Sequence, residues 1–188
     1  MASTKERFIE TTCQLMEDQG YHATALNQII EESGAPKGSL YYYFPGGKEE
    51  LAAEAIQHIS DVVNQRIQCV LDNHEDPAEA VSTFIYTIAG HMEASEYAAG
   101  GPITTVALES ATTSPRLNTA CQAVYAQWQA SLMERLRESG IDAVRARGLA
   151  TLIIAALEGG IVLSRTRHST EPLKRVAHEV STLINTVQ

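Results

Sequence analysis

Apolar residues recur along the chain at spacings of three and four, and no run alternates strictly enough to read as a strand. The pattern predicts an all-α chain of nine helices. Ser3-Thr4-Lys5-Glu6 is a capping box for the first, whose stripe is Phe8, Ile9, Thr12, Leu15 and Met16 and whose end falls at Gly20. Thr24 is placed to cap a short second helix carrying Leu26, Ile29 and Ile30. Ser33-Gly34-Ala35 makes a turn, and Pro36 opens a third helix over 37–44 that Pro45-Gly46-Gly47 stops. A long fourth helix covers about 48–71, and Asp76-Pro77 caps a fifth. Gly100-Gly101-Pro102 precedes a short sixth, Ser114-Pro115 starts a seventh, an eighth covers about 142–165, and Thr170-Glu171-Pro172 opens a ninth.

The eighth helix differs from the others. Leu149, Leu152, Ile153, Ile154, Ala155, Leu157, Ile161, Val162 and Leu163 surround most of its circumference. A helix apolar on all sides is buried on more than one. One side faces the chain's own core, and the other most simply faces a second copy, with Gly159-Gly160 allowing close approach. A two-fold dimer through the eighth and ninth helices is expected; the alternative is a monomer with a fully internal central helix. The apolar run itself, Gly148 to Leu163, holds Glu158 and is shorter than the ~20 residues of a spanning helix. No membrane partner is expected. The first seven residues carry no apolar segment of a secretory signal. Cys13, Cys69 and Cys121 are widely spaced with no CxxC pair, so the chain reads as cytoplasmic, without a disulfide framework or zinc ribbon.

Charge complicates the functional reading. Fourteen Lys and Arg against 23 Asp and Glu give a net charge of −9, a poor starting point for a nucleic-acid binder. Residues 1–60 hold only Lys5, Arg7, Lys37 and Lys48 against nine acids. Yet the second helix, the Gly34 turn and the third helix read as a helix-turn-helix. Leu40 and Phe44, four apart, face inward; Lys37, Tyr41 and Tyr42 fall on outward or flanking faces. Three consecutive tyrosines suit a packing surface badly, because each hydroxyl needs a partner, and phosphate oxygens provide one. Gly38 lets the backbone approach a duplex, Lys37 can donate to a guanine edge or a phosphate, and Lys48 stands at the start of the fourth helix among unpaired N–H groups.

Gly20-Tyr21-His22-Ala23-Thr24, Ile29-Ile30, Ser33 to Phe44 and Lys48-Glu49-Glu50-Leu51 together resemble the TetR family of bacterial transcriptional repressors over about 50 residues. The turn Pro45-Gly46-Gly47-Lys48 is one residue longer than the commoner form. With Gly100-Gly101-Pro102-Ile103 and Val106-Ala107-Leu108-Glu109 it resembles the branch named after the lincomycin-resistance repressor. The resemblance implies a TetR-like subunit: a DNA-binding domain at 1–47 and a helical ligand-binding and dimerisation domain at 48–188. It also implies that Lys37, Gly38, Ser39 and Tyr41 approach bases of a palindromic double-stranded operator, and that Thr24, Asn27, Tyr42, Tyr43 and Lys48 hold phosphates.

Polar and aromatic residues interrupt the later stripes. His91, Tyr125, Trp128 and Glu158 are candidate walls of a pocket for a small-molecule effector, each with a plain packing role as the alternative. Catalysis finds no support: there is no nucleophile elbow, phosphate loop or HExxH, and the histidines lack metal-ligand spacing. No catalytic residue, metal or cofactor is expected. The leading function is a ligand-responsive DNA-binding regulator, a repressor that a small molecule releases from its operator. The competing reading is a small-molecule binding protein whose helix-turn-helix no longer binds DNA, which the acidic N-terminal segment favours.

Overall fold

A computed structural model describes residues 2–98 and 100–187. Among the described residues it contains nine helices and no strand: α1 (Thr4–Ala23), α2 (Leu26–Ser33), α3 (Lys37–Tyr43), α4 (Gly47–Asp72), α5 (Pro77–Ala94), α6 (Pro102–Ser110), α7 (Pro115–Glu138), α8 (Ala143–Arg167) and α9 (Glu171–Asn185). The chain divides into two compact units, Met1–Asp61 with Pro102–Val124 and Val62–Gly101 with Tyr125–Gln188, so α4 and α7 contribute residues to both.

In the first unit, local chemistry sets the start of α1. Ser3 and Glu6 form both bonds of the capping box, at 3.2 and 2.6 Å. Phe8, Leu15, Ile29, Ala35, Leu40, Phe44 and Leu51 close one core under α1, α2, α3 and the start of α4, with the Phe8 and Phe44 rings edge to face at 6.3 Å. Gly20 does not end α1 as expected. It kinks it, at φ 81°, and the helical path resumes through Ala23. That kink also corrects the reading of Thr24. Its hydroxyl donates back to the Gly20 carbonyl at 2.7 Å, its side chain is fully buried, and α2 starts from Ala25 with no side-chain cap.

In the second unit, Asp76 caps α5 through its carboxylate, as the sequence predicts, and Asp142, expected only as the start of the eighth helix, caps α8 in the same way. α9 packs against both α5 and α8. α8 is 25 residues long and holds an 18-residue stretch of mean hydropathy 1.7, so it is long and apolar enough to cross a membrane by length and composition, more than the apolar run alone implied. Its inward face is nonetheless committed to the unit: Leu149, Ile153, Ile154, Leu157 and Ile161 are buried. The two glycines of that helix serve different sides. A Cβ on Gly160 would stand 2.8 Å from Leu173 Cδ2 of α9, so the close approach expected for a second copy is spent at this residue inside the chain; Gly159 is exposed and open.

Candidate nucleic-acid interface

Three devices hold the turn between α2 and α3. Gly34 adopts the left-handed conformation (φ 59°) that ends α2, and its N–H donates to the Glu31 carbonyl at 3.1 Å. The Ala35 N–H donates to the Ser33 hydroxyl at 3.3 Å. The Arg7 guanidinium, arriving from α1, donates to the Ser33 carbonyl and lies where a side chain on Gly34 would go. An orphan carbonyl at a helix C-terminus thereby gains a cation from a neighbouring helix.

This turn aims α3. Its inner side is Leu40, followed at the C-cap by Phe44, both fully buried. Its other side presents Lys37, Gly38, Tyr41 and Tyr42 to solvent, with Tyr41 at 53% and Tyr42 at 80% exposure. Ser39 and Tyr43 are half-buried, and the Tyr43 ring meets that of Tyr42 edge to face at 5.0 Å. No atom lies within 4 Å of a Cβ placed on Gly38, so this face of α3 is unobstructed. Asn27 is exposed in the first turn of α2. Two further side chains of the predicted set are engaged within the chain: Thr24, spent internally as described, and Lys48. The Lys48 ammonium donates to the Tyr21 carbonyl at 2.6 Å and sits 4.2 Å over the Tyr21 ring. Burial draws it below the usual lysine range, while the Glu109 carboxylate pulls the other way.

Glu109 was visible in the sequence only as part of a resemblance. From α6 it reaches the α1 kink, where its Oε2 accepts the His22 N–H at 3.0 Å and its backbone carbonyl accepts from His22 Nε2 at 3.2 Å. A Cβ on Gly20 would stand 2.5 Å from Glu109 Oε1. Gly20→Ala therefore meets both a left-handed φ and a collision, and should cost about 1–3 kcal/mol of stability. In a Glu109→Ala background the collision is gone, so the penalty should shrink toward the strain alone. A denaturation cycle of the two substitutions checks this; additive losses would mean that the carboxylate does not press on the kink.

Among the effector-site candidates, Tyr125 and Trp128 come together, their rings edge to face at 5.7 Å, with Trp128 buried and Tyr125 half-buried. His91 lies exposed in the last turn of α5 and Glu158 half-buried on α8. Cavities open in the second unit. One of 480 Å³ is lined by Leu71 to Glu75, Arg135 and Glu138, and one of 210 Å³ lies between α7 and α8 beside Met133 and Thr151. None of the four candidates lines either. Burial pushes the Cys13 thiol up to about 12 and the Cys121 thiol up to about 11, so both are protonated near neutrality.

Residues 8–55 match the family model described as bacterial regulatory proteins, tetR family, and residues 77–179 match the model described as transcriptional regulator LmrA/YxaF-like, C-terminal domain. The chain is 42% identical over 181 residues to the uncharacterized HTH-type transcriptional regulator YxaF of Bacillus subtilis, covering 96% of this chain and 95% of that protein. It is 38% identical over 181 residues to the HTH-type transcriptional regulator LmrA of the same organism, covering 96% of each. In fold it is similar to a TetR transcriptional regulator from Legionella pneumophila, with a TM-score of 0.87 at 22% identity, covering 100% of this chain and 99% of that one.

Proposed function

Because the chain belongs to the TetR family, with an LmrA/YxaF-like C-terminal domain, and is a DNA-binding transcriptional regulator, we propose that it is a repressor released from a palindromic operator by a small molecule. Residues 1–47 read DNA; residues 48–188 hold the effector and the dimer contact. The observation that carries the reading is the two-faced α3, which buries Leu40 while Tyr41 and Tyr42 stand in solvent beside Lys37 and Gly38. Side chains that want hydrogen-bond partners, displayed on a helix whose back is fixed in a core, suit the major groove. Lys37, Gly38, Ser39 and Tyr41 approach bases. Asn27, Tyr42, Tyr43 and Lys48 contact phosphates, Lys48 by exchanging its bond to Tyr21. Thr24 contributes by fixing the kink that carries Tyr21.

Two copies associate through α8 and α9. Between Arg147 and Arg165 the exposed residues of α8 are Gly148, Thr151, Leu152, Ala155, Gly159, Val162 and Leu163, none of them charged. The dimer places two recognition helices roughly 34–36 Å apart, one turn of duplex. An effector bound between α4 and α8, among His91, Tyr125, Trp128 and Glu158, favours a different spacing. A ~100-fold preference for that state would supply about 2.7 kcal/mol. The regulator works in the cytoplasm.

Selection of bound fragments from genomic DNA identifies the operator and tests the surface. With it in hand, Lys37→Ala should lower affinity and relax base preference. Tyr42→Phe should weaken all duplexes alike, by about tenfold or more per lost bond, the worth of one hydrogen bond to a charged group. Affinity and preference unchanged in both variants would remove α3 as the reader.

A further inference from the structure

The reading head is short of cations, and the shortage is sharper than composition suggests. Of the four in residues 1–60, Lys5 pairs with Glu54 at 2.7 Å, Arg7 is taken by the Ser33 carbonyl and Lys48 by the Tyr21 carbonyl. Among the described residues of that segment, only the Lys37 ammonium is left unoccupied by these bonds. A fifth cation comes from outside the segment. Arg116, the second residue of α7, is exposed and lies against the turn that joins α3 to α4. Its Nη1 stands 2.9 Å from where a Cβ of Gly46 would be, so the guanidinium occupies space that any other residue at 46 would contest.

The approach is built rather than incidental. Ser114, two residues earlier, accepts the Leu117 N–H at 3.1 Å and donates to the Glu49 carboxylate, which fixes the first turn of α7 to the first turn of α4. Glu50 accepts the Gly46 N–H at 2.6 Å, holding the turn itself. Tyr43 precedes the turn and Lys48 follows it, and these are two of the proposed phosphate contacts. The α4 N-terminus between them would attract an anion, but Glu49 and Glu50 already sit in that first turn. A phosphate arriving there needs a cation to offset them.

We propose that Arg116 is a DNA-backbone contact, a guanidinium that α7 supplies to the phosphate-binding edge at the α3–α4 turn. Its planar fork can take two phosphate oxygens while Glu50 remains on the Gly46 amide. The proposal rests on α3 being the reading helix, and the experiment separates the two. Binding of the full-length protein to a mixed-sequence 30-base-pair duplex and to the selected operator is measured from 50 to 200 mM salt. The proteins are the parent chain, Arg116→Ala and Arg116→Lys, with melting curves to establish that each variant is folded.

The parent dimer should show a log–log slope of roughly −4 to −7, from two to four cations per subunit at ~0.9 each. Arg116→Ala should flatten the slope by about 1.8 per dimer and weaken both duplexes by about tenfold per lost contact at 0.1 M salt. Arg116→Lys, which keeps the charge, should retain most of the slope. A parent slope in range that Arg116→Ala leaves unchanged overturns this inference alone, including when affinity falls along a parallel line, since that marks a residue that only shapes the turn. A parent slope near zero overturns the α3 surface together with it.

Discussion

Leu152→Asp is expected to leave a folded monomer that no longer holds its operator at concentrations where the parent chain does. Leu152 is 48% exposed on α8, in the middle of a face whose exposed residues from Gly148 to Leu163 are all uncharged, with Glu158 half-buried among them. The other face of the helix is occupied by the chain's own core, so the substitution barely touches the fold. In a two-fold dimer, however, it enters twice. Each carboxylate would have to be desolvated without a partner, at a cost of several kcal/mol per ion, and the pair would repel. The effect on DNA follows from linkage of two half-sites. A dimer binds its second half-site at an effective concentration set by its own geometry, and losing that advantage costs 10²–10⁴-fold, on the order of magnitude for a bivalent binder. Sedimentation velocity and a mobility-shift titration measure the two consequences. A variant that sediments as a dimer with operator affinity within a factor of two of the parent would place the partner contact elsewhere.

What the sequence disclosed and what it withheld divide along contact range. Ser3 with Glu6, Asp76 and Asp142 announce helix starts because each cap bonds within three residues of itself. Leu40 and Phe44 announce the inner side of the third helix because a four-residue spacing is one turn. Thr24 misleads as a cap because its hydroxyl donates to the Gly20 carbonyl four residues back instead of capping the start of α2, and a positive-φ glycine inside a helix leaves no periodic trace. The contacts that arrange the reading head are long-range: Arg7 to Ser33, Glu109 to His22 and Arg116 to Gly46 join residues 26, 87 and 70 positions apart. No spacing rule connects them. The charge puzzle has the same origin, because counting within residues 1–60 misses an arginine that α7 delivers. The effector pocket is the least legible part, since an aromatic at a core position and one at a ligand wall share the same helical period. Trp128 illustrates this: its ring is accounted for by Tyr125 and burial without any ligand.

Phe44→Ala should unfold the reading head while sparing the α8–α9 pair, and the reason lies in how few residues close that core. Phe44 is fully buried, its ring edge to face with Phe8 and tilted on Tyr43, and its N–H ends α3 on the Leu40 carbonyl at 2.7 Å. Truncation to Ala removes the aromatic pair and leaves a cavity, together about 3–5 kcal/mol. A small domain has roughly 5–15 kcal/mol in total, so most of the margin of α1–α3 would be gone. Tyr42, two residues earlier and 80% exposed, provides the contrast: Tyr42→Phe should change stability by less than about 0.5 kcal/mol while still weakening DNA binding. Hydrogen exchange resolves the two cases. In Phe44→Ala the amides of α1, α2 and α3 should lose protection while those of α8 and α9 keep it, and operator binding should disappear with the protection. In Tyr42→Phe protection should match the parent throughout. If Phe44→Ala kept α1–α3 protected to within 1 kcal/mol of the parent, the seven-residue core would not be what fixes α3, and the outward display of Tyr41 and Tyr42 would need another cause.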